Sequence, residues 1–309
     1  MNKQRTCNTS TMPKWVRVFL KFFVGSLSLF LAGWIILSGP SAVSEPAANP
    51  EDPAREDLTR IVYPSLEKIE WRPHFMRPND SPELLFGKDW PLVARFNRID
   101  RRHLYPGMTI KVPVRMDDIK DYTALPRFYE PAKRHEKYIL VSITEQWIGA
   151  YEHGKLVFSM PAATGKKGTE TPTGLFRIDA RHKNHTSSLY QTDDKSAQYP
   201  MDNAMRFYIG PDNVSYWIHA RDLPGKPASH GCVGLFDETM QNRMYDLPEN
   251  PVLMDSVKLY NWAVGEDDYE DDTGELEELE DGPVVEIVGE LPKVLNESPY
   301  RPVAATVGK

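Results

Sequence analysis

Residues 216–233 have the sequence YWIHARDLPGKPASHGCV, from which both an architecture and a chemistry can be inferred. The apolar run at its start predicts a short strand that ends at His219. The Pro and Gly residues that follow predict a loop, which leads to Ser-His-Gly and then to Cys232. Cys232 is the only cysteine beyond the N-terminal segment. A single thiol with histidines nearby indicates a catalytic nucleophile, because a thiolate attacks carbonyl carbons after an imidazole has taken the thiol proton.

Two histidines are candidates for the base that would take this proton. His219 ends the predicted strand, which would hold its imidazole rigidly, whereas His230 lies two residues before Cys232 and could face the same side of an extended loop. The residues alone leave either histidine as the base. Gly231 allows a tight turn whose N–H groups could receive an oxyanion near the sulfur. A Cys–His pair is also expected to lower the pKa of the thiol.

Zinc binding is the competing explanation for clustered Cys and His residues. The paired-cysteine spacing that is typical of structural zinc sites is absent from this sequence. Catalysis by a Cys–His pair is therefore favoured over a metal site, and this chemistry requires neither a metal nor an organic cofactor.

The charge of the chain is unevenly distributed. The 309 residues carry a net charge of −7, which argues against nucleic-acid binding through a basic surface. Residues 1–21 hold five basic residues and no acid, and residues 22–38 hold no charge and are largely apolar. This layout predicts a secretory signal over residues 1–44, which is either removed or retained as an inner-membrane anchor formed by residues 16–38. In both cases we expect the rest of the chain to be exported to the cell envelope, in the periplasm.

The composition predicts two folded regions after this segment. Residues 45–68, rich in Pro and acidic residues at their start, are interpreted as a linker. Residues 69–115 contain a predicted short helix, a Tyr-Pro-Gly turn at 105–107 and a strand that closes in Pro113. This pattern resembles a LysM module, a small βααβ domain. The resemblance implies a hold on glycans that contain N-acetylglucosamine; a small structural domain without a sugar site is the alternative.

A mainly β (α+β) domain, a sandwich or a barrel, is predicted over residues 137–290. Short β-branched runs are separated by turns that contain Gly, such as the hairpin turn at 152–155. The Gly-rich stretch 164–174 predicts another hairpin and not a phosphate loop, because Thr-Pro-Thr-Gly is a poor start for a helix. Residues 266–281 contain eleven acids and no Lys or Arg, which predicts a flexible insertion. Residues 291–309 are interpreted as a disordered C-terminus.

Two motifs of this domain together resemble the L,D-transpeptidase catalytic domain, the YkuD family. One runs from His219 to Ser-His-Gly-Cys232, and the other comprises Thr-Gly-Lys at 164–166 with Thr-Pro-Thr-Gly at 171–174. The resemblance implies attack by Cys232 on the carbonyl between the third residue of a peptidoglycan stem and its terminal D-alanine, with release of D-alanine and formation of a thioester. An amine of a second stem would then give a 3→3 cross-link.

The same resemblance implies the partners and leaves alternatives open. Peptidoglycan stem peptides and glycan strands are the expected partners. Water in place of the amine would make the protein an L,D-carboxypeptidase, and a non-catalytic peptidoglycan-binding scaffold is a hypothesis from another class.

Roles are carried over from the family residue by residue. Cys232 is the expected nucleophile, His219 the general base, and the residue after the base, Ala220, orients it through a backbone carbonyl. Only nine residues separate His219 from Ser229, and Gly234 stands where the family commonly has Arg or Asn, so Arg221 or Arg206 would have to compensate. The remaining expectations are that Ser229, His230 and Gly231 shape the site, that the N–H groups of Gly231 and Cys232 receive the oxyanion, and that Arg221, Gly234 and Thr171 bind substrate.

Overall fold

A computed structural model describes residues 56–192, 195–265 and 275–300 of the protein. The first strands and helices along the chain are β1 (Trp71–Phe75), α1 (Pro82–Phe86), α2 (Trp90–Asn97), β2 (Thr109–Pro113), β3 (Tyr138–Ser142), β4 (Trp147–Glu152) and β5 (Lys155–Pro161). They are followed by β6 (Gly174–Arg177), β7 (Ala180–Gln191), β8 (Gln198–Ile209), β9 (Ser215–Ala220), β10 (Val233–Leu235), α3 (Glu238–Tyr245), α4 (Asp255–Val264), β11 (Glu277–Glu278) and β12 (Val284–Val288).

Two five-stranded sheets form the main domain, which confirms the predicted mainly β class. Their strand orders are β5-β4-β3-β12-β6 and β10-β9-β8-β7-β11. One apolar core joins them, since Ile139 and Val141 of β3 belong to the same buried cluster as Met205 of β8 and Ile218 of β9. Helix α4 contributes Leu259 to this cluster.

Strand β3 is a continuous apolar run because it is buried on both faces. Ile139 and Val141 face the core between the sheets, whereas Tyr138 and Leu140 belong to a second buried cluster that contains Leu125. A strand covered on both sides needs apolar residues at every position, and this explains the absence of alternation. The hairpin turn after β4 is also as predicted, since His153 and Gly154 both have positive φ, at 48° and 80°.

A smaller βααβ unit precedes the sandwich. Strand β1 pairs with β2 in antiparallel register, with Trp71 opposite Pro113. The Ser81 hydroxyl caps α1 by accepting from the Leu84 amide at 3.1 Å. Buried Asn97 fastens the end of α2 to β2, because its amide donates to the Lys111 carbonyl at 2.7 Å and accepts from the Lys111 N–H at 2.8 Å.

This unit is joined to the sandwich by buried polar contacts. The fully buried Asp100, after α2, accepts from the Leu223 backbone N–H at 2.6 Å and from the Gln241 amide at 2.9 Å. Its own N–H donates to the Leu223 carbonyl at 2.8 Å. Because Leu223 lies between His219 and Cys232, the βααβ unit supports the loop that connects these two residues.

Arginines of the βααβ unit add bidentate ion pairs to this contact. Arg95 pairs with Asp255 of α4 at 2.5 and 2.6 Å, and Arg101 pairs with fully buried Glu238 of α3 at 2.7 and 3.1 Å. Fork-to-fork geometry of this kind fixes orientation as well as adding energy.

Three boundaries differ from the sequence-based expectation. Residues 56–68, expected to be linker, are folded: Leu58 and Leu66 are buried with the βααβ core. Residues 291–300, expected to be disordered, pair with this segment through a bridge between Ile61 and Val294. Within the acidic insertion, Glu277–Glu278 form β11 beside β7, where Glu277 pairs with Arg181 at 2.7 Å. Residues 266–274 lie outside the described residues.

The predicted signal or anchor segment falls outside the part of the chain that the structure describes. Residues 1–55, which include the apolar run 22–38, lie outside the described ranges. Within those ranges, no helix combines the length and the apolar character that crossing a membrane requires.

The contact through Asp100 leads to a stability prediction. We expect Asp100→Ala to lower the free energy of unfolding by about 2–4 kcal/mol, because the Leu223 N–H then remains buried without its acceptor and the Gln241 amide keeps only its bond to Asp222. Asp118→Ala, which removes an exposed ion pair with Arg115, is the control and should cost less than about 1 kcal/mol. Urea titration followed by tryptophan fluorescence measures both, and equal effects of the two substitutions would contradict the prediction.

Candidate active site

The pairing of β9 with β10 brings the candidate nucleophile and base to one face. The two strands are parallel, with Ile218 opposite Val233 and His219 opposite Gly234. Ile218 and Val233 face the core. Since side chains alternate along a strand, His219 points away from the core, and Cys232, which directly precedes β10, lies on the same side. Cys232 packs there beside Trp217 of β9.

A backbone carbonyl orients the imidazole of His219. The ring is buried, and Nδ1 lies 2.6 Å from the Ala220 carbonyl oxygen. A carbonyl only accepts, so Nδ1 carries the proton and Nε2 of the neutral ring keeps its lone pair. Burial, followed by the charge of Arg221, lowers the pKa of His219 to about 3, although the bond to Ala220 acts in the opposite direction. His219 is therefore a neutral imidazole at physiological pH.

The two motifs of the sequence are joined by backbone hydrogen bonds. The Thr164 carbonyl accepts from the N–H groups of Ala228 and Ser229, both at 3.0 Å, and the Lys166 N–H donates to the Ser229 carbonyl at 3.0 Å. Thr171, expected to bind substrate, is instead buried, and its hydroxyl accepts from the Gly165 N–H at 2.8 Å. The Thr171 hydroxyl thus closes the loop formed by residues 165–171, whose tight turn brings the hydroxyl next to the Gly165 N–H.

The buried side chain of Ser229 builds the turn before Cys232. Its hydroxyl donates to the Cys232 carbonyl at 2.5 Å and accepts from the Gly231 N–H at 3.1 Å. Gly231 has φ of +116°, and a Cβ there would lie 2.5 Å from the Tyr216 ring, so only glycine fits. The Gly231 N–H, expected to receive an oxyanion, is engaged by Ser229, which leaves the Cys232 N–H as the remaining candidate of the two.

The surroundings of the sulfur are mainly apolar. Cys232 is half-buried against a cluster that contains Met201, Ala204 and Trp217. This burial raises the pKa of the thiol, while a backbone hydrogen bond from Trp217 and the charge of Arg221 act in the opposite direction. The expected lowering of the thiol pKa by a Cys–His pair is therefore wrong for the resting protein, because desolvation outweighs the neighbouring charge.

His230 occupies a different environment from His219. It is exposed, and its ring stacks on Tyr190 near the end of β7, with centroids 4.4 Å apart and planes 21° apart. Tyr190 is itself 44% exposed. The geometry thus leaves His219 as the base candidate and makes His230 part of the rim. Sequence reasoning missed Tyr190, because the strand that carries it is polar and gives no alternating signal.

Arg221 and Gly234 lie against each other at the edge of this face. A Cβ built on Gly234 would lie 2.4 Å from Cδ of Arg221 and 2.6 Å from its Cβ. Arg206, the other arginine considered from the sequence, is engaged elsewhere, since its Nε donates to Asp179 at 2.7 Å. The side chain of Arg221 therefore occupies the space above Gly234.

A metal site was judged less favourable than catalysis from the sequence. In the parts of the chain that the structure describes, no three His, Cys, Asp or Glu side chains are grouped as a metal ion would require.

The sandwich thus presents a thiol and an oriented imidazole on one face, at the adjoining β9 and β10. Residues 136–263 match the sequence model of the YkuD family, described as the L,D-transpeptidase catalytic domain. A search of curated protein sequences gives no match.

Solved structures similar to the chain are L,D-transpeptidases. The protein from Stackebrandtia nassauensis is 21% identical, with 52% of this chain and 59% of that chain covered and a TM-score of 0.34. The protein from Mycobacterium smegmatis is 16% identical, with 50% and 59% covered and a TM-score of 0.33. The protein from Enterococcus faecium is 18% identical, with 50% of this chain and 50% of that chain covered and a TM-score of 0.30. The chain thus spans less than two thirds of the length of these proteins.

The direction of the thiol shift predicts how Cys232 reacts. Burial raises the pKa of the Cys232 thiol. The rate of its alkylation by iodoacetamide should therefore rise with pH at a higher midpoint in the folded protein than in the urea-unfolded chain. In the unfolded chain, a thiol titrates at about pH 8.5. No inflection is expected between pH 5 and 8, since His219 titrates near pH 3. Peptide mass spectrometry reads Cys232 separately from Cys7. A folded midpoint below the unfolded one would indicate a preformed thiolate–imidazolium pair instead.

Proposed function

We propose that the protein is an L,D-transpeptidase that forms 3→3 cross-links in peptidoglycan through a thioester on Cys232. The observation that carries the proposal is the register of β9 and β10, which sets the thiol and the His219 imidazole on one face, together with the bond from Nδ1 to the Ala220 carbonyl. The family match over residues 136–263 supports the reaction class.

In the first half of the reaction, the substrate carbonyl lies between the third stem residue and D-alanine. Nε2 of His219 takes the proton of the Cys232 thiol as the sulfur attacks this carbonyl carbon. The Cys232 N–H is the backbone donor for the oxyanion that develops. His219 then gives its proton to the departing amine, so that D-alanine leaves and the thioester forms.

In the second half, the amine of a neighbouring stem attacks the thioester. His219 accepts a proton from this amine, and the sulfur departs and regains a proton, which restores the resting pair. A thiol that is protonated at rest suits this sequence. Proton transfer then occurs only when the carbonyl is in place, and the free protein is less exposed to oxidation and to hydrolytic side reactions.

Water in place of the amine would give an L,D-carboxypeptidase of the same fold. Access for the second stem and exclusion of water decide between these outcomes. The exposed rim formed by Tyr190 and His230 is where an acceptor stem would approach, and its two stacked aromatic rings favour a large acceptor over water alone.

The setting of the reaction follows from the sequence. We propose that the chain is exported to the periplasm, with residues 16–38 as an inner-membrane anchor if the signal segment is retained, and that it acts on stem peptides close to their glycan strands. The βααβ unit would then present the catalytic domain to the wall, and glycan binding by this unit remains a prediction of its LysM-like sequence.

The function is tested with disaccharide-tetrapeptide and the full-length protein. We expect cross-linked dimers that have lost one D-alanine, detected by mass spectrometry. Cys232→Ala should abolish the product, and His219→Asn should lower the rate by about 10²–10⁴-fold, because the general base is lost. His153→Asn makes the same change at an exposed turn histidine and should leave the rate unchanged.

Other outcomes would redirect the proposal. Tripeptide monomers as the only product would identify the carboxypeptidase. Unchanged substrate with the intact protein would favour the non-catalytic scaffold, and undiminished turnover by Cys232→Ala would exclude the thiol as nucleophile.

A further inference from the structure

Strand β10 carries Gly234 at the position that the side chain of Arg221, directly after β9, passes over. Gly234 is directly opposite His219, on the face that also carries Cys232. The Cβ, Cγ and Cδ atoms of Arg221 all lie within 2.9 Å of the point that a Cβ on Gly234 would occupy. Atoms in contact with a real Cβ lie more than 3.0 Å from it. The stem of Arg221 therefore passes so close to β10 that only glycine fits at position 234.

The guanidinium at the end of this stem lies against the loop before Cys232 and beside Tyr199. Its Nη2 donates to the Ala228 carbonyl at 3.0 Å, and its carbon lies 5.7 Å from the centre of the Tyr199 ring. Tyr199 and Cys232 pack against the same small apolar cluster around Trp217. The cation is thus held by the Ala228 carbonyl and lies beside a tyrosine that packs on the same cluster as the thiol.

The charge of Arg221 is poorly compensated by its neighbours. Its Nε is buried and has no hydrogen-bond partner within the described ranges. The adjacent carboxylate of Asp222 is engaged by the Gln241 amide at 2.7 Å and by the Tyr245 hydroxyl at 2.9 Å. A half-buried guanidinium whose Nε is unpartnered and whose printed acceptor is one neutral carbonyl favours a negative charge that develops beside it.

We propose that Arg221 and Gly234 form one functional unit, in which the glycine gives the arginine stem its path and the arginine charge stabilises the anionic sulfur of Cys232 during thiol ionisation and thioester breakdown. Arg221 thereby offsets part of the desolvation cost that the apolar surroundings impose on the thiolate. The role of Gly234 is steric: it allows the cation to reach the face of the sheet from the end of β9.

Other titratable and charged groups surround this pair. His185 of β7 stacks on Trp217 with centroids 4.4 Å apart, and Arg206 of β8 lies 5.8 Å from the centre of the same Trp217 ring but is paired with Asp179. The remaining groups on the elements packed around the sulfur are His219 and Tyr216 of β9, Tyr199 of β8, Tyr190 of β7, and Lys166, Asp222 and His230 of the loops. Arg221 is the charged side chain among them that acts to lower the pKa of Cys232.

The test is the pH dependence of Cys232 alkylation by iodoacetamide in the full-length protein, read by peptide mass spectrometry. Arg221→Met keeps most of the stem and removes the charge. It should raise the midpoint by about one pH unit and slow alkylation at pH 7 by about tenfold. Arg221→Lys keeps a charge and should retain most of the parent reactivity. Gly234→Ala should shift the midpoint in the same direction as Arg221→Met, because the new methyl group displaces the stem.

Arg206→Met is the matched control, since it removes an arginine close to Trp217 whose charge is already paired; its midpoint should equal that of the parent protein. Circular dichroism and thermal unfolding exclude a folding defect as the cause of a shift. An unchanged midpoint in Arg221→Met overturns the electrostatic role, and an unchanged midpoint in Gly234→Ala overturns the steric one. If Arg221→Met does not fold, the Arg221→Lys and Gly234→Ala variants still decide between these outcomes.

The catalytic role of the unit of Arg221 and Gly234 rests on the proposed function, whereas the alkylation test is independent of that function. Alkylation requires no peptidoglycan substrate, so a failed cross-linking assay with a shifted alkylation midpoint would reject the proposed reaction and leave the unit of Arg221 and Gly234 standing. The converse result, cross-linking with no shift in Arg221→Met, would reject only the inference.

Discussion

The parallel pairing of β9 with β10 is the constraint on which the site depends. It sets His219 opposite Gly234 and leaves Cys232 on the same side, while Ile218 and Val233 face the core. Parallel neighbours need a crossover of about a dozen residues or more, and the twelve residues between His219 and Cys232 are at the lower end of that range. A connection this short has little freedom of its own, so it must be held from outside.

Support for this connection comes from two directions. Asp100 of the βααβ unit fixes both backbone groups of Leu223, and the Tyr63 hydroxyl donates to the Gly225 carbonyl at 3.0 Å. From the other side, the Thr164 carbonyl receives the N–H groups of Ala228 and Ser229. The βααβ unit is therefore a structural neighbour of the active-site loop, in addition to any contact it makes with the wall. This dependence on two supports explains why so short a loop can hold a catalytic geometry.

Local sequence signals were sufficient for much of the fold and for the central pair. The strand that ends at His219 follows from an apolar run, and Cys232 stands out because it is the single cysteine beyond the N-terminal segment. Residues 56–68 are folded, contrary to the expected linker, because Leu58 and Leu66 are buried against the distant β2, which no local sequence pattern shows. The roles of Thr171 and Arg221 could not be inferred for a similar reason. A hydroxyl that closes a loop and a stem that crosses a glycine are tertiary contacts, and their residue types are equally common in exposed loops.

The central claim is that Cys232 carries the acyl group, and trapping the thioester tests it most directly. The full-length protein is mixed with disaccharide-tetrapeptide, quenched in acid after a short delay and digested for peptide mass mapping. The account predicts that the Cys232 peptide gains the mass of the disaccharide-tripeptide acyl group, that hydroxylamine removes it, and that D-alanine appears in step with it. Release of D-alanine at the same rate by Cys232→Ala, or an acyl group on any other residue, would contradict the account.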